Sequence, residues 1–325
     1  AALPPVGAIL AAGGPELAGL MERAERRLAE IAESHGTALE RHAALTLSAG
    51  GKRMRPLLVF LCAGGTATAP VVSAAVSVEL LHMATLVHDD VLDRAELRRG
   101  RPTVFTAGGR AAATATGDFL FSRAFAELAS TGSSAAVRAL STASSALARG
   151  ELMQRADAFA DDLTADRYLE RCTLKTARLF QAACYLGALL GGLSEPQAEA
   201  LAAYGTSIGL AFQILDDVLD VEGPVERTGK HRGTDLLDGT VTLPLILARE
   251  RDPGIAALDL RSIAGPAEAA RVCEQIAATG ALGESRRRAL AHVDEAKGKL
   301  RGASLGEHSV RVLDLVADGV VERYA

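Results

Sequence analysis

LLHMATLVHDDVLD, residues 80–93, and GLAFQILDDVLD, residues 209–220, each carry an apolar run straight into the same five residues, DDVLD. On a helix the outer aspartates of each copy, Asp89 with Asp93 and Asp216 with Asp220, stand four residues apart and share one face. The inner ones, Asp90 and Asp217, lie about 100° round the axis and can still lean toward the same site. Unpaired carboxylates on an apolar helix are costly, so both clusters need compensation. Two such clusters acting on one ligand would hold hard divalent cations, which take oxygen donors. The same reading decides the fold, because it needs long apolar helices ending in acid.

The rest of the 325 residues agree with helices. Hydrophobic residues make up 49% but aromatics only 4%, and Trp is absent, so the core must be built from Ala, Leu and Val. Such a composition, with long stretches free of Pro, favours helix over sheet. A formal net charge of −5 argues against a nucleic-acid binder. Cys62, Cys172, Cys184 and Cys273 form no CxxC pair and read as free thiols of a reducing compartment. No basic segment followed by an apolar one stands near the first residue, and the uncharged stretch from Pro56 to Val78 is broken by Gly64, Gly65 and Pro70. The expectation is a soluble cytoplasmic chain with no transmembrane segment.

Helical periodicity begins near Pro15. Gly50 and Gly51 form a turn carrying Lys52, Arg53 and Arg55, with Pro56 opening the next helix. Val71 to Leu92 reads as one long buried helix, and RAELRRGRPT after it as a charged loop. Helices are expected over 110–130, 133–158, 166–190 and 195–221, a loop from Gly223 to Gly239, and helices again over Leu243–Arg251, 266–279, 283–301 and 306–323. No linker divides the chain, which reads as one all-α domain over residues 1–325.

Beside the two acidic clusters stand cations: Lys52, Arg53 and Arg55 at the glycine turn, His82 two helical turns before Asp89, Arg98 and Arg99 after it, Lys175 followed by Thr176, and Lys230 with Arg232. Carboxylates alone would suggest hydrolysis or metal storage. Carboxylates with separate Lys and Arg groups suggest a polyanion held from both sides, a divalent cation bridging acid to phosphate and guanidinium forks taking the rest. Long stretches of small apolar side chains imply that the phosphate carries a hydrocarbon tail.

GGKRMRP at 50–56, HDDVLDRAELRRGRPT at 88–103, GDFLFSRAF at 117–125, LKTARLF at 174–180, FQILDDVLD at 212–220 and GKHRGTDL…TLP at 229–244 resemble, in this order, the trans-polyprenyl diphosphate synthases, most of all the long-chain ones. The resemblance implies a single large helical bundle around a central cavity, a homodimer, and elongation of an allylic prenyl diphosphate by isopentenyl diphosphate. It implies three Mg²⁺ ions per site, held by Asp89, Asp93, Asp216 and Asp220, with Asp90 and Asp217 assisting. It places Arg98, Lys175, Thr176, Gln213 and Lys230 on the allylic substrate, and Lys52, Arg55, His82 and Arg99 on the diphosphate of isopentenyl diphosphate. Arg53 lies in a motif without a clear role.

Product tails in this family grow past the residues about a turn before the first acidic cluster, here Ala84 and Thr85, with Leu81 a turn further on. None is aromatic, so an all-trans product longer than geranylgeranyl is expected, with transient membrane contact on its release. Thr240 stands where many members carry a second lysine. A terpene cyclase would need an Asn-bearing second metal motif, and the chain has no Asn. A non-catalytic subunit of a heteromeric synthase usually lacks one acidic motif, and a geranylgeranyl synthase differs only in where the product stops. FADDLTAD at 159–166 has the wrong spacing for a metal, and Thr164 suits a helix cap. Arg286 to Arg288 read as a solvated face, Asp118 as a helix cap or cross-link, and Asp235 as support for the second cluster.

Overall fold

Alanine, leucine and valine at three- and four-residue spacing do form helices almost throughout. A computed structural model describes residues 4–33, 36–48, 51–98, 100–223 and 232–322. Their chain packs as two compact units, one comprising Ala1–Ser144, Leu179–Ala202 and Leu300–Val316, the other Ser145–Arg178, Ala203–Lys299 and Ala317–Ala325.

In the first unit α1 (Pro4–Glu33) leaves helical geometry at Gly14, φ 78°, and Pro15 opens its second segment. The helix therefore starts earlier than the periodicity suggests, since a glycine in the left-handed region separates two helical pieces. After α2 (Thr37–Ser48) comes α3 (Met54–Cys62), entered through Arg53 at φ 47°. Helix α4 (Ala69–Leu92) has Pro70 in its first turn and is buried on every side, as a central core helix must be. It packs along α5 (Val104–Ala129), whose first turn is capped by the Thr103 hydroxyl accepting from the Thr106 N–H.

The charged loop between α4 and α5 is not plain loop. It folds into a two-strand ribbon, β1 (Leu97–Arg98) against β2 (Arg101–Pro102), with Arg98 opposite Arg101. Gly100 at φ 73° supplies the tight turn.

The second unit takes the end of α6 (Ser134–Ala156), then α7 (Ala165–Cys172). Thr164 caps α7, accepting from the Arg167 N–H at 3.2 Å. The helix expected over 166–190 is interrupted, because Thr173–Ala177 forms a π-turn before α8 (Arg178–Gly191) resumes. Helix α9 (Glu195–Glu222) carries the second acidic motif. Short α10 (Thr234–Leu237), α11 (Leu243–Arg249) and α12 (Pro253–Ala256) precede α13 (Pro266–Ala278), α14 (Ala281–Arg301) and α15 (Glu307–Glu322).

Helices α4 and α9 are long and apolar enough to cross a membrane by length and composition. Their most apolar windows are nevertheless 72% and 67% buried inside the protein, as core helices are.

Candidate active site

The first DDVLD ends α4, and its aspartates part company there. Asp93 caps the helix, its N–H donating to the Asp89 carbonyl at 2.8 Å, and its side chain is exposed. Asp89 is half-buried, whereas Asp90 is 4% exposed and gripped by Arg98 from β1, with Nη2 at 2.7 Å and Nε at 2.9 Å from Oδ1. The ribbon thus has a structural use, which is to bring a guanidinium back over the helix end. His88 lies 3.2 Å from Asp118, so that residue does cross-link α4 to α5.

A pocket in this unit is lined by His82, Asp90 and Arg98 together with Arg53 and Glu79. Arg53 now has its explanation. It pairs with the buried Glu79 at 2.8 Å and with Glu25 at 2.5 Å, and so fixes the turn that presents Lys52 and Arg55. The Arg55 guanidinium lies 4.7 Å from the centre of the Phe180 ring, within cation–π range. Leu81 and Ala84 are fully buried, and Thr85 donates its hydroxyl to the His82 carbonyl at 2.7 Å.

The second DDVLD ends α9 with the same division. Asp216 is exposed, Asp220 half-buried and Asp217 only 5% exposed. No cation holds Asp217 among the contacts described. The buried Tyr168 hydroxyl donates to Oδ2 at 2.6 Å, and Gln213 Nε2 donates to Oδ1 at 2.7 Å. Burial pushes the Asp217 carboxyl up to about 8; the charge of Asp235 adds to this, the Tyr168 and Gln213 hydrogen bonds oppose it, and Asp216 adds a smaller push. Asp235 also donates its backbone N–H to Asp220 Oδ2 at 3.2 Å, which ties α10 to the motif.

Lys175 and Thr176 sit within the π-turn, a deformation that often marks functional positions. The Thr176 hydroxyl donates to Gln213 Oε1 at 2.7 Å. Tyr168, Asp217, Gln213 and Thr176 therefore form one continuous polar chain. Lys175 Nζ lies 2.5 Å from Glu151 of α6.

Sequence reasoning missed Glu79, Glu151 and Tyr168, none of which lies at a spacing that sets it apart from ordinary helix residues. Arg99 and Lys230 lie outside the described residues. The basic run Arg286 to Arg288 is not wholly solvated in role, since Arg286 pairs with Glu222 at the end of α9.

Among the described residues no three His, Cys, Asp or Glu side chains converge closely enough to hold a metal by themselves. What each motif offers is two hard oxygen donors on aspartates less buried than the one between them. That donor set fits a small divalent cation that keeps water and completes its shell from substrate phosphate, and does not fit an all-protein cage.

Residues 37–278 match the polyprenyl synthetase family, to which this chain belongs. It is 39% identical to heptaprenyl diphosphate synthase component 2 of Geobacillus stearothermophilus over 92% of this chain and 93% of that one. It is also 39% identical to geranylgeranyl diphosphate synthase of Methanosarcina mazei, over 78% of this chain and 80% of the other. Among solved structures, heptaprenyl diphosphate synthase from Staphylococcus aureus superposes with a TM-score of 0.89 at 30% identity, covering 95% of this chain and 99% of that one. The all-α fold is that of the isoprenoid synthases.

Proposed function

We propose that this chain is a trans-prenyltransferase that condenses isopentenyl diphosphate with farnesyl or geranylgeranyl diphosphate to give an all-trans polyprenyl diphosphate longer than geranylgeranyl. The observation that carries this reading is the repeated arrangement of two accessible or half-buried aspartates around one buried aspartate at the end of a long apolar helix, on a chain of the polyprenyl synthetase family. The two acidic motifs serve one reaction within a single functional domain.

Asp89, Asp93, Asp216 and Asp220 would hold Mg²⁺, three ions by family analogy, which when bound draws off charge from the departing diphosphate. Arg98, Lys175, Thr176, Gln213 and Lys230 orient the allylic diphosphate. Lys52, Arg55, His82 and Arg99 hold that of isopentenyl diphosphate, and donors fixed in advance stabilise charge as it develops. The bond between the allylic carbon and oxygen breaks, its electron pair leaving with the diphosphate. The isopentenyl double bond supplies the pair for the new carbon–carbon bond, and a proton passes to the released diphosphate. No protein nucleophile is needed. The apolar helices exclude water, which would otherwise capture the cation.

The test is incubation with labelled isopentenyl diphosphate, farnesyl diphosphate and Mg²⁺, followed by chromatography of dephosphorylated products. A ladder passing geranylgeranyl is expected, and a single geranylgeranyl product would refute the long-chain reading. Ala84→Phe, putting a ring where the buried methyl is, shortens the product; unchanged length would remove Ala84 from the tunnel wall.

The word "component" in the name of the Geobacillus relative favours a second reading, in which this chain works with a different partner chain. A homodimer is the first expectation. Native mass of the purified chain and its activity without additions separate the two. We place the protein in the cytoplasm, touching membrane only to release its lipid.

A further inference from the structure

Helix α6 meets Lys175 twice, once by close approach to its backbone and once through its charge. At Gly150 a β-carbon would fall 2.5 Å from the Lys175 nitrogen and 2.8 Å from its Cα, so α6 and the π-turn meet backbone to backbone. The next residue, Glu151, has Oε2 at 2.5 Å from Lys175 Nζ. The two meet as an ion pair, without the angles of a hydrogen bond. The other oxygen, Oε1, is 3.0 Å from Arg155, one turn along the same helix. Glu151 is 15% exposed and fixed from two sides, while Lys175 is 29% exposed. Met153 of α6 packs with Leu174 and Ala146 beside the pair.

We propose that Glu151 is the positioning residue for Lys175, aiming the ammonium at the allylic diphosphate. The pair fixes where the ammonium's charge sits without hydrogen-bond angles, so its donor hydrogens stay available for a phosphate. Lysine has a long stem with considerable rotamer freedom, so a fixed partner removes a cost that binding would otherwise bear. Glutamate is itself an anion and would repel the ligand. Arg155 offsets this, because the Arg155–Glu151–Lys175 group carries one net positive charge. The two views predict opposite signs. If Glu151 aims Lys175, its removal weakens binding; if it merely withholds Lys175, its removal strengthens binding.

This inference rests on the prenyltransferase reading, and its test separates the two. Farnesyl diphosphate with Mg²⁺ is titrated calorimetrically into the wild type, Glu151→Ala and Glu151→Gln, with turnover and isopentenyl KM measured alongside. The expected result is a roughly tenfold weaker Kd for farnesyl diphosphate in Glu151→Ala, the size of one charge-assisted contact. Glu151→Gln, which keeps the side chain's length and a partly negative oxygen near the ammonium, should recover part of the loss, and isopentenyl KM should not move. Unchanged or tighter farnesyl diphosphate binding in both variants overturns the inference, as does an equal loss for both substrates, which would mark a merely structural contact. A wild type that binds farnesyl diphosphate but does not elongate it would refute the reaction, while the ratio of Kd values still judges Glu151. A wild type that binds no farnesyl diphosphate overturns both.

Discussion

The two DDVLD strings are identical, sit at the ends of two long apolar helices, and bury their second aspartate to almost the same degree, 4% for Asp90 and 5% for Asp217. They differ in what meets that aspartate. Arg98 clamps Asp90 from a ribbon eight residues further on, a charged partner supplied locally. Asp217 is met by the neutral donors Tyr168 and Gln213, one from α7 and one from a turn earlier on α9. Burial is nearly equal, so what differs is the charge nearby: a guanidinium beside Asp90, and the carboxylates Asp235 and Asp216 beside the neutrally bonded Asp217. The pentapeptide determines which carboxylates face outward, and the surrounding fold determines the charge at its base.

The outward pairs should therefore be alike in function. Asp89→Ala and Asp216→Ala are each expected to lower kcat/KM by roughly 10²–10³-fold, the scale seen when one charge-stabilising group is lost. Steady-state rates with farnesyl and isopentenyl diphosphates measure it. Full activity in either variant would break the parallel between the motifs.

The inward aspartates should be unlike in stability. Asp90→Asn leaves Arg98 without its counter-charge. Breaking a buried pair costs about 3–5 kcal/mol, and the 29% exposure of Arg98 reduces this to about 2 kcal/mol. Asp217→Asn costs under about 1 kcal/mol, because the amide oxygen still accepts from Gln213 and the amide N–H can donate to a turned Tyr168 hydroxyl. Urea unfolding in chelator, followed by circular dichroism, compares the two. Equal losses would mean that the partners do not set the difference.

The first motif was more legible in sequence than the second for the same reason. Arg98 lies in the contiguous string HDDVLDRAELRRGRPT, so motif and clamp are read together. Tyr168 stands 49 residues from Asp217 and reaches it only through folding. Helix extents were legible because apolar spacing is local, and α6, α9 and α13 fall within two residues of expectation. The π-turn at Thr173–Ala177 was not, since a single inserted residue leaves the periodicity on each side intact. Glu79 and Glu151 could not be told from solvated glutamates, because their partners Arg53 and Lys175 lie on other elements.

Each motif region also depends on a glycine at a helix crossing, and here the comparison can be sharpened with the smallest change. A β-carbon at Gly117 on α5 would lie 2.2 Å from His88 Nε2, whereas one at Gly150 would lie 2.5 Å from the backbone nitrogen of Lys175. The shorter distance is the cheaper conflict. An imidazole can rotate about two side-chain bonds, giving up its contact with Asp118, which is 70% exposed and worth little. The Lys175 backbone belongs to a hydrogen-bonded turn and cannot move without shifting α7 or α8. Alanine gains up to about 1 kcal/mol over glycine in a helix, and overpacking costs about 1–3 kcal/mol. Gly117→Ala should come out near neutral and Gly150→Ala destabilised by about 1–2 kcal/mol, with its farnesyl diphosphate affinity lowered as well. If Gly117→Ala proves the worse, His88 is as rigidly placed as backbone, and the first motif is held more tightly than its single guanidinium clamp implies.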